Sequence, residues 1–466
     1  MTIETYHDIC SYLRKLIEGS QWESKVYTVG GCCRDLVMAL PINDIDLAVN
    51  APNGGIEFAE WLYEKGLTSD KPIEFHKYGT ARLHLKEFDD EELEIVQTRK
   101  EKYTDRTSRN PAIAFGSVDD DCMRRDLTIN ALYYDISNDK LLDVCGRSIS
   151  DIRDKIIRTP TDPNVTFDDD PVRILRTIRF ATRFGWEIEK STFDAMCRHC
   201  SRLDIIKPER MQTEFEKILI GPTPSRALDL LRHTGAMAYI IPELCETFNM
   251  RQASFHFGSV WEHSISVVDK VAPTPLLRIS ALLHDIGKIS SRFVKPDGTI
   301  CFPRHPKRAT PIIIRILSRL SYRMSFIKHV LFLCNNHEVA KHCGSNAEGM
   351  TDADLRELLF FCRTRQRFEN LMSIIDADNR SYAPDHCMPQ QAKNILSRTN
   401  TMIENGEDMF SYVLPIKQAK IAKIKQIKNN KKASEAYKKY LMSLVFAKPD
   451  ITNEELIKNL KLYQLE

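Results

Sequence analysis

The sequence predicts an α+β protein: a head with a small β-sheet and helices, then a neck, a middle part and a tail that are all-α. Two observations carry this. Short β-rich runs at 27–29, 45–49, 81–85, 93–98 and 132–136 alternate with helical segments over the first 150 or so of the 466 residues. From Phe167 onward long amphipathic helices follow, broken at Gly221-Pro222, Pro242, Pro273-Thr274-Pro275 and Pro296-Asp297-Gly298. The breaks place the parts at 1–150, 151–250, 251–385 and 386–466.

A hydrophobic content of 42% and a charged content of 28% are those of an ordinary globular chain. The opening MTIETYHDICSYL has no basic stretch ahead of an apolar run, and no segment approaches ~20 apolar residues, so no membrane is expected and the cytoplasm is the expected compartment. Thirteen cysteines without a framework spacing point to reduced thiols. Cys197 and Cys200 form a CxxC with no second pair nearby, which reads as helix cysteines rather than zinc ligands. The net charge of +2 decides nothing about nucleic acid, but its distribution is uneven: residues 417–439 hold nine lysines against one glutamate, a solvated helix face or a phosphate track.

The first motif is YTVGGCCRDLVMALPINDIDLAV, residues 27–49. Gly30-Gly31 lies between a β-rich run and a helix expected over 32–38, where backbone amides can face phosphate. Asp44 and Asp46 alternate with Ile45 and Leu47, so a strand projects both carboxylates from one face. Two like charges that close need a divalent cation or a shared proton, and Mg²⁺, which takes one or two carboxylates plus substrate phosphates, suits them.

Next, MRRDLTINALYY (123–134) sets Arg124, Arg125 and Asp126 before a β-prone run. Paired guanidiniums bind triphosphate oxygens in bidentate forks, although a surface salt-bridge cluster has the same composition. Asp168-Asp169-Asp170-Pro171 reads as the start of a helix that carries Arg173, Arg176 and Arg179. Asp170 and Arg173, three apart, offer one acceptor and one donor, which matches the exocyclic amine and bare ring nitrogen of cytosine or adenine. Guanine and uracil would leave a buried group unpaired. Arg179 falls nearly opposite Asp170 on an ideal helix, so Arg176 and Arg179 are assigned to phosphate or other parts of the site.

GGCCRD with DID, RRDLTINAL, DDPVRILRTIRFATRFGW and PERMQTEFEKIL, in that order over about residues 26–245, resemble the consecutive motifs of class II tRNA nucleotidyltransferases: the bacterial CCA-adding enzymes and their poly(A) polymerase relatives. The resemblance implies a nucleotidyltransferase head and template-independent addition of C, C and A to a tRNA 3′ end from CTP and ATP. It assigns Mg²⁺ to Asp44 and Asp46, and the triphosphate to Gly30, Gly31, Arg34, Asp35, Arg124, Arg125, Asp126 and Asn130. It makes Asp170 and Arg173 a protein template, with Glu209, Arg210 and Glu214 bracing the neck around it and Asp143 with Gly146 as a hinge. Glu94 takes the place of the family's further acidic strand residue, a metal or base candidate. The loop 99–115 fills a region shortened in enzymes that add only C. Cys33, Ala39 and Leu127 depart from the family pattern without removing a polar group that the chemistry needs. Poly(A) addition or partial CC or A addition remains the alternative, as does a phosphohydrolase with a regulatory nucleotide-binding head.

Farther on, VWEHSISVVDKVAPTPLLRISALLHDIGK (260–288) resembles the HD phosphohydrolase superfamily through His263 and the His284-Asp285 doublet. Imidazoles and a carboxylate suit a divalent transition metal, a second metal beside Mg²⁺. His305, His337 and Asp378 fall where that superfamily places further ligands, Lys288 where an electrostatic helper would stand, and His256 is a possible substrate contact or a surface histidine. Residues 386–466 match no motif.

Overall fold

The computed structural model describes residues 1–88, 91–102, 111–253, 258–425, 427 and 431–464. They form two compact units, 1–242 and 243–466. The expected loop 99–115 lies outside the described residues from 103 to 110, as do His256 and Lys428.

In the first unit, the order is α1 (Ile3–Ile17), β1 (Val26–Val29), α2 (Gly31–Val37), β2 (Ile45–Val49), α3 (Gly54–Glu64), β3 (Ile73–Phe75), β4 (Thr80–Leu85), β5 (Glu91–Gln97), β6 (Arg99–Lys102), β7 (Ala112–Phe115), α4 (Val118–Met123), β8 (Tyr133–Asp135) and β9 (Lys140–Leu142). Seven strands make one sheet in the order β3-β4-β5-β2-β1-β8-β9, while β6 and β7 pair separately. The pairing β2·β5 is parallel and sets Asp46 opposite Glu94; the other pairs in that sheet are antiparallel. Ile45, Leu47, Leu93 and Ile95 pack with Tyr6, Ile9, Leu13, Phe58 and Leu62 of α1 and α3. Because side chains alternate along a strand, the same burial turns Asp46 and Glu94 to the other face.

The rest of this unit is α5 (Ser148–Asp154), β10 (Ile156–Ile157), α6 (Pro163–Asp169), α7 (Val172–Phe184), β11 (Glu187–Ile188), α8 (Lys190–His199), α9 (Pro208–Leu219), α10 (Pro224–His233) and shorter turns. Two details differ from the sequence expectation. The segment after the head is not purely helical, since β10 and β11 pair in parallel, and a second small hairpin joins Phe293–Val294 to Ile300–Cys301. Asp168 and Asp169 close α6 rather than opening α7. The reason is local: Asp162 caps the N–H of Asn164, and Pro163 starts a helix of its own. Only Asp170 serves α7, its Oδ1 accepting from the Val172 N–H at 3.1 Å.

The second unit is mainly helical, from Val260–Lys270 through Asn453–Leu462. The helices Val260–Lys270, Pro275–Leu283, His305–Arg319, Met324–Asn336 and Arg365–Asn379 surround a buried histidine cluster. All thirteen cysteines are free; Cys197 and Cys200 donate to backbone carbonyls, as helix cysteines do. Among the described residues no helix is long and apolar enough to cross a membrane.

Candidate functional site

A cleft of ≈ 630 Å³ opens on the polar face of the head sheet, and seven arginines and four carboxylates line it. That balance favours a polyanion. Asp46 and Glu94 stand side by side on β2 and β5. Burial, with Glu94 adding to it and Arg125 opposing, raises the Asp46 carboxyl to about 6, and the charge of Asp44 pushes the same way. A carboxylate held this unwillingly ionised is a fit for a hard cation such as Mg²⁺. Asp44 is exposed, one residue before β2 begins. Glu94 already pairs with Arg82 at 2.9 Å, so its charge is partly answered within the protein.

Gly30 ends β1 with φ +79°, and a side chain there would meet Arg125 Nη1 at 3.2 Å and approach Asp46 Oδ2 at 4.0 Å. Glycine thus lets the arginine and the carboxylate close on the turn. Arg124, Arg125, Asp126, Asp170, Arg173 and Arg176 all line the cleft, as the sequence predicts, together with Arg210.

Arg34, Asp35, Asn130 and Arg179, like Gly30, Gly31 and Asp44, are not among the residues that line the cleft. Asp35 takes Arg34 in a bidentate pair, Nε and Nη2 each at 2.9 Å. Arg34 Nη1 donates to Asn130 Oδ1 at 2.6 Å, and the guanidinium lies over Phe180 and Phe184. Asn130 passes the chain on to Asp126 at 3.1 Å, and Asp126 accepts from Arg176 Nε at 2.6 Å. Burial opposes the Asp126 charge, but Arg176 and Asn130 outweigh it and lower the carboxyl to about 2. Arg34 therefore braces, at three removes, the arginine that faces the cleft. Arg179 turns to Glu214 at 3.4 Å, away from Asp170 as the helix geometry requires. Arg173 is buried, donating to the Arg124 carbonyl at 2.6 Å and the Thr166 carbonyl at 3.4 Å.

Two buried carboxylates escaped the sequence reading. Glu101 accepts from Arg99 and Arg124, each at 3.1 Å, and lies 3.7 Å from Arg173. Asp121 binds both Arg124 and Arg125, at the i, i+3 and i, i+4 spacings of neighbours on a helix surface, a signal present in the sequence.

In the second unit, His263, His284, Asp285, His305, His337 and Asp378 converge, all buried. Asp378 Oδ1 lies 2.9 Å from His263 Nε2 and 3.8 Å from His284 Nε2. Asp285 Oδ1 lies 3.0 Å from His305 Nε2, while its Oδ2 is 3.3 Å from His284 Nε2. Each of the four imidazoles turns Nδ1 to a backbone carbonyl, of Ser381, Ala281, Phe302 and Cys334 respectively. An Nδ1–H held this way leaves Nε2 bare toward the centre, the tautomer a metal requires. Burial and the neighbouring His284 push the His337 imidazole down to about 4, keeping it neutral. Three overlapping ligand groups result: His263, His284 and Asp378; His284, Asp285 and His337; and His305, His337 and Glu338, the last of which the sequence reading missed. Lys288 Nζ sits 2.6 Å from Asp285 Oδ2 and donates to Gln252. The donor set fits a divalent transition metal.

Residues 26–158 match the poly(A) polymerase head domain, and residues 185–248 match the probable RNA- and SrmB-binding site of polymerase A. A "CCA tRNA nucleotidyltransferase, mitochondrial" of Saccharomyces cerevisiae is 34% identical over 66% of this chain and 61% of its own length. A "Multifunctional CCA protein" of Halorhodospira halophila is 30% identical over 60% of this chain and 65% of its own. The chain thus spans less than two thirds of these relatives. The CCA-adding enzyme of Bacillus stearothermophilus, solved in complex with CTP, has the same fold, with a TM-score of 0.65 at 19% identity over 99% of this chain and 97% of that one.

Proposed function

We propose that this chain, a homologue of CCA-adding enzymes whose residues 26–158 are a poly(A) polymerase head domain, adds C, C and A to tRNA 3′ ends from CTP and ATP without a nucleic acid template. The observation that carries the reading is the head cleft, in which Asp46 and Glu94 face an arginine-rich wall that also holds Asp170 and Arg173. The names of the relatives and the CTP complex of the Bacillus enzyme support it. The thirteen free cysteines support a reducing, cytoplasmic setting.

In this reading, Arg124, Arg125 and Arg176 bind the triphosphate oxygens and hold the nucleotide against the sheet. Asp44 and Asp46 would hold Mg²⁺, which when bound supplies the positive charge that acidifies a 3′-hydroxyl and offsets the phosphates. The same arginines receive the charge that grows on departing pyrophosphate. Asp170 and Arg173 present an acceptor and a donor to the base edge, selecting cytosine and adenine. Glu209, Arg210 and Glu214 brace the neck around them, and Asp143 and Gly146 form the hinge of the head. The parts 1–150, 151–250, 251–385 and 386–466 are the domains we assign.

The histidine cluster favours a second activity, hydrolysis of a phosphate ester. His263, His284, Asp285, His305, His337 and Asp378 would hold a divalent metal that, when bound, supplies an activated water. Lys288 stands ready to neutralise phosphate charge.

The test is extension, with Mg²⁺, of a tRNA ending at the discriminator base. CTP and ATP together should add three residues and stop. A long A ladder would point to a poly(A) polymerase, two added C residues to a CC-adding enzyme, and no extension to a phosphohydrolase with a regulatory head. Asp44→Ala should lower extension by about 10³-fold or more and leave phosphoesterase activity intact, and His284→Ala should do the reverse. Loss of both activities from either change would sink the two-site reading.

A further inference from the structure

Arg124 and Arg125 are neighbours in sequence and line one wall of the cleft. Two guanidiniums this close repel, and each side chain has many rotamers, so a cradle made of them needs a fixed counter-charge. The structure supplies it from behind. Asp121, on α4, accepts at Oδ1 from Arg124 Nε at 2.8 Å and Nη2 at 2.6 Å, and from the Arg99 N–H at 3.2 Å. Its Oδ2 accepts from Arg125 Nη2 at 3.0 Å and from the Tyr133 hydroxyl at 2.6 Å. One carboxylate therefore takes five hydrogen bonds, three of them from the guanidiniums of Arg124 and Arg125.

Asp121 is completely buried and is not among the residues lining the cleft, so it acts through the arginines and not on a ligand. Its frame is rigid. The Ser117–Asp120 capping box fixes the start of α4, and Tyr133 ties the carboxylate to β8 of the sheet, its hydroxyl also accepting from Arg125 Nε at 3.1 Å. Glu101 adds a second carboxylate on Arg124 alone, at 3.1 Å, so Asp121 is the charge that Arg124 and Arg125 share.

We infer that Asp121 is a positioning residue that, with Tyr133, presents Arg124 and Arg125 as a preformed cradle for the triphosphate of the incoming nucleotide. This rests on the transferase reading above. The cradle engages phosphates and no base edge, so CTP and ATP depend on it alike. Base selection belongs to Asp170 and Arg173 and is independent of it.

The experiment uses full-length Asp121→Asn, which preserves shape and removes the charge, and Tyr133→Phe, which removes one hydroxyl. Steady-state extension and calorimetric binding of CTP are measured for both. Asp121→Asn should raise KM for CTP and for ATP by about 10- to 100-fold each. Its kcat should change by only a few-fold, with KM for tRNA and the preference for C and A over G and U unchanged. Tyr133→Phe should shift the same constants by about 3- to 10-fold. If Asp121→Asn does not fold, Tyr133→Phe decides the matter. Unchanged nucleotide KM and CTP affinity in the folded variants, or a defect confined to one nucleotide or to tRNA, overturns the inference. Should the wild type extend no tRNA while its CTP affinity still depends on Asp121, the transferase reading fails and the cradle stands.

Discussion

Single side chains divide here into those that face the cleft and those that hold them. Asp46 and Arg125 face it, while Asp121 and Arg34 stand behind and fix directions by hydrogen bonds, and Asp126 does both. The thiol of Cys145 depends on its neighbours in the same way. A hydrogen bond from Cys122, opposed by burial and joined by Ser148, lowers its thiol to about 6. Burial instead raises the thiols of Cys197 and Cys200. Only the thiolate is nucleophilic, so Cys145 is expected to be the more reactive thiol at neutral pH and to lose reactivity as pH falls through about 6. Alkylation by iodoacetamide at pH 7, read by peptide mass spectrometry, should label Cys145 ahead of Cys197 and Cys200. Cys122→Ala should remove that lead, and equal labelling in the wild type would refute the assignment. At this scale the sequence was legible where chemistry dictates residue type, as in Asp44, Asp46 and the paired arginines. The hydrogen bond from Arg34 to Asn130 was not legible, because the two lie 96 positions apart in sequence.

Helices and strands decide which of these residues can meet. In α7, Arg173, Arg176 and Arg179 stand three apart and drift round the helix. Arg173 therefore reaches the Arg124 carbonyl, Arg176 reaches Asp126, and Arg179 reaches Glu214. The helix Val260–Lys270 carries His263 in its first turn, and its direction is set by a capping box in which Ser259 accepts from the Glu262 N–H and Glu262 returns the bond. Ser259→Ala should cost about 1 kcal/mol, seen as a melting point lower by about 2–4 °C for a unit of this size. If His263 is a ligand, as proposed, metal affinity of the histidine cluster should fall with it. A melting point lowered with metal affinity untouched would separate the cap from the centre. Strand positions were legible to within a residue or two from alternation, whereas the end of α6 was not, since an aspartate run reads equally as an end or a beginning.

Across the whole chain, the basic side chains are concentrated rather than spread: an arginine-rich cleft in the first unit and a lysine-rich run in the second, with the total charge near zero. The exposed Lys417, Lys420 and Lys423 test whether that run touches RNA. Changing all three to Gln should flatten the salt dependence of tRNA binding by about 2–3 units of log K per log salt, measured by filter binding. An unchanged slope would leave the run as a solvated face. By itself the sequence determined the layout of a sheet-bearing head before a helical remainder, and it singled out the paired aspartates, the arginine motif and the histidines and aspartates that converge in the second unit, because each depends on residue type and short spacing. Tertiary structure alone decided that Glu94 would face Asp46, that Arg34 would turn inward, that four imidazoles would bare Nε2 to one centre, and that Asp121 would hold two arginines at once. Those outcomes depend on strand register and on burial, which choose among hydrogen-bond partners far apart in the chain, and no local pattern encodes that choice.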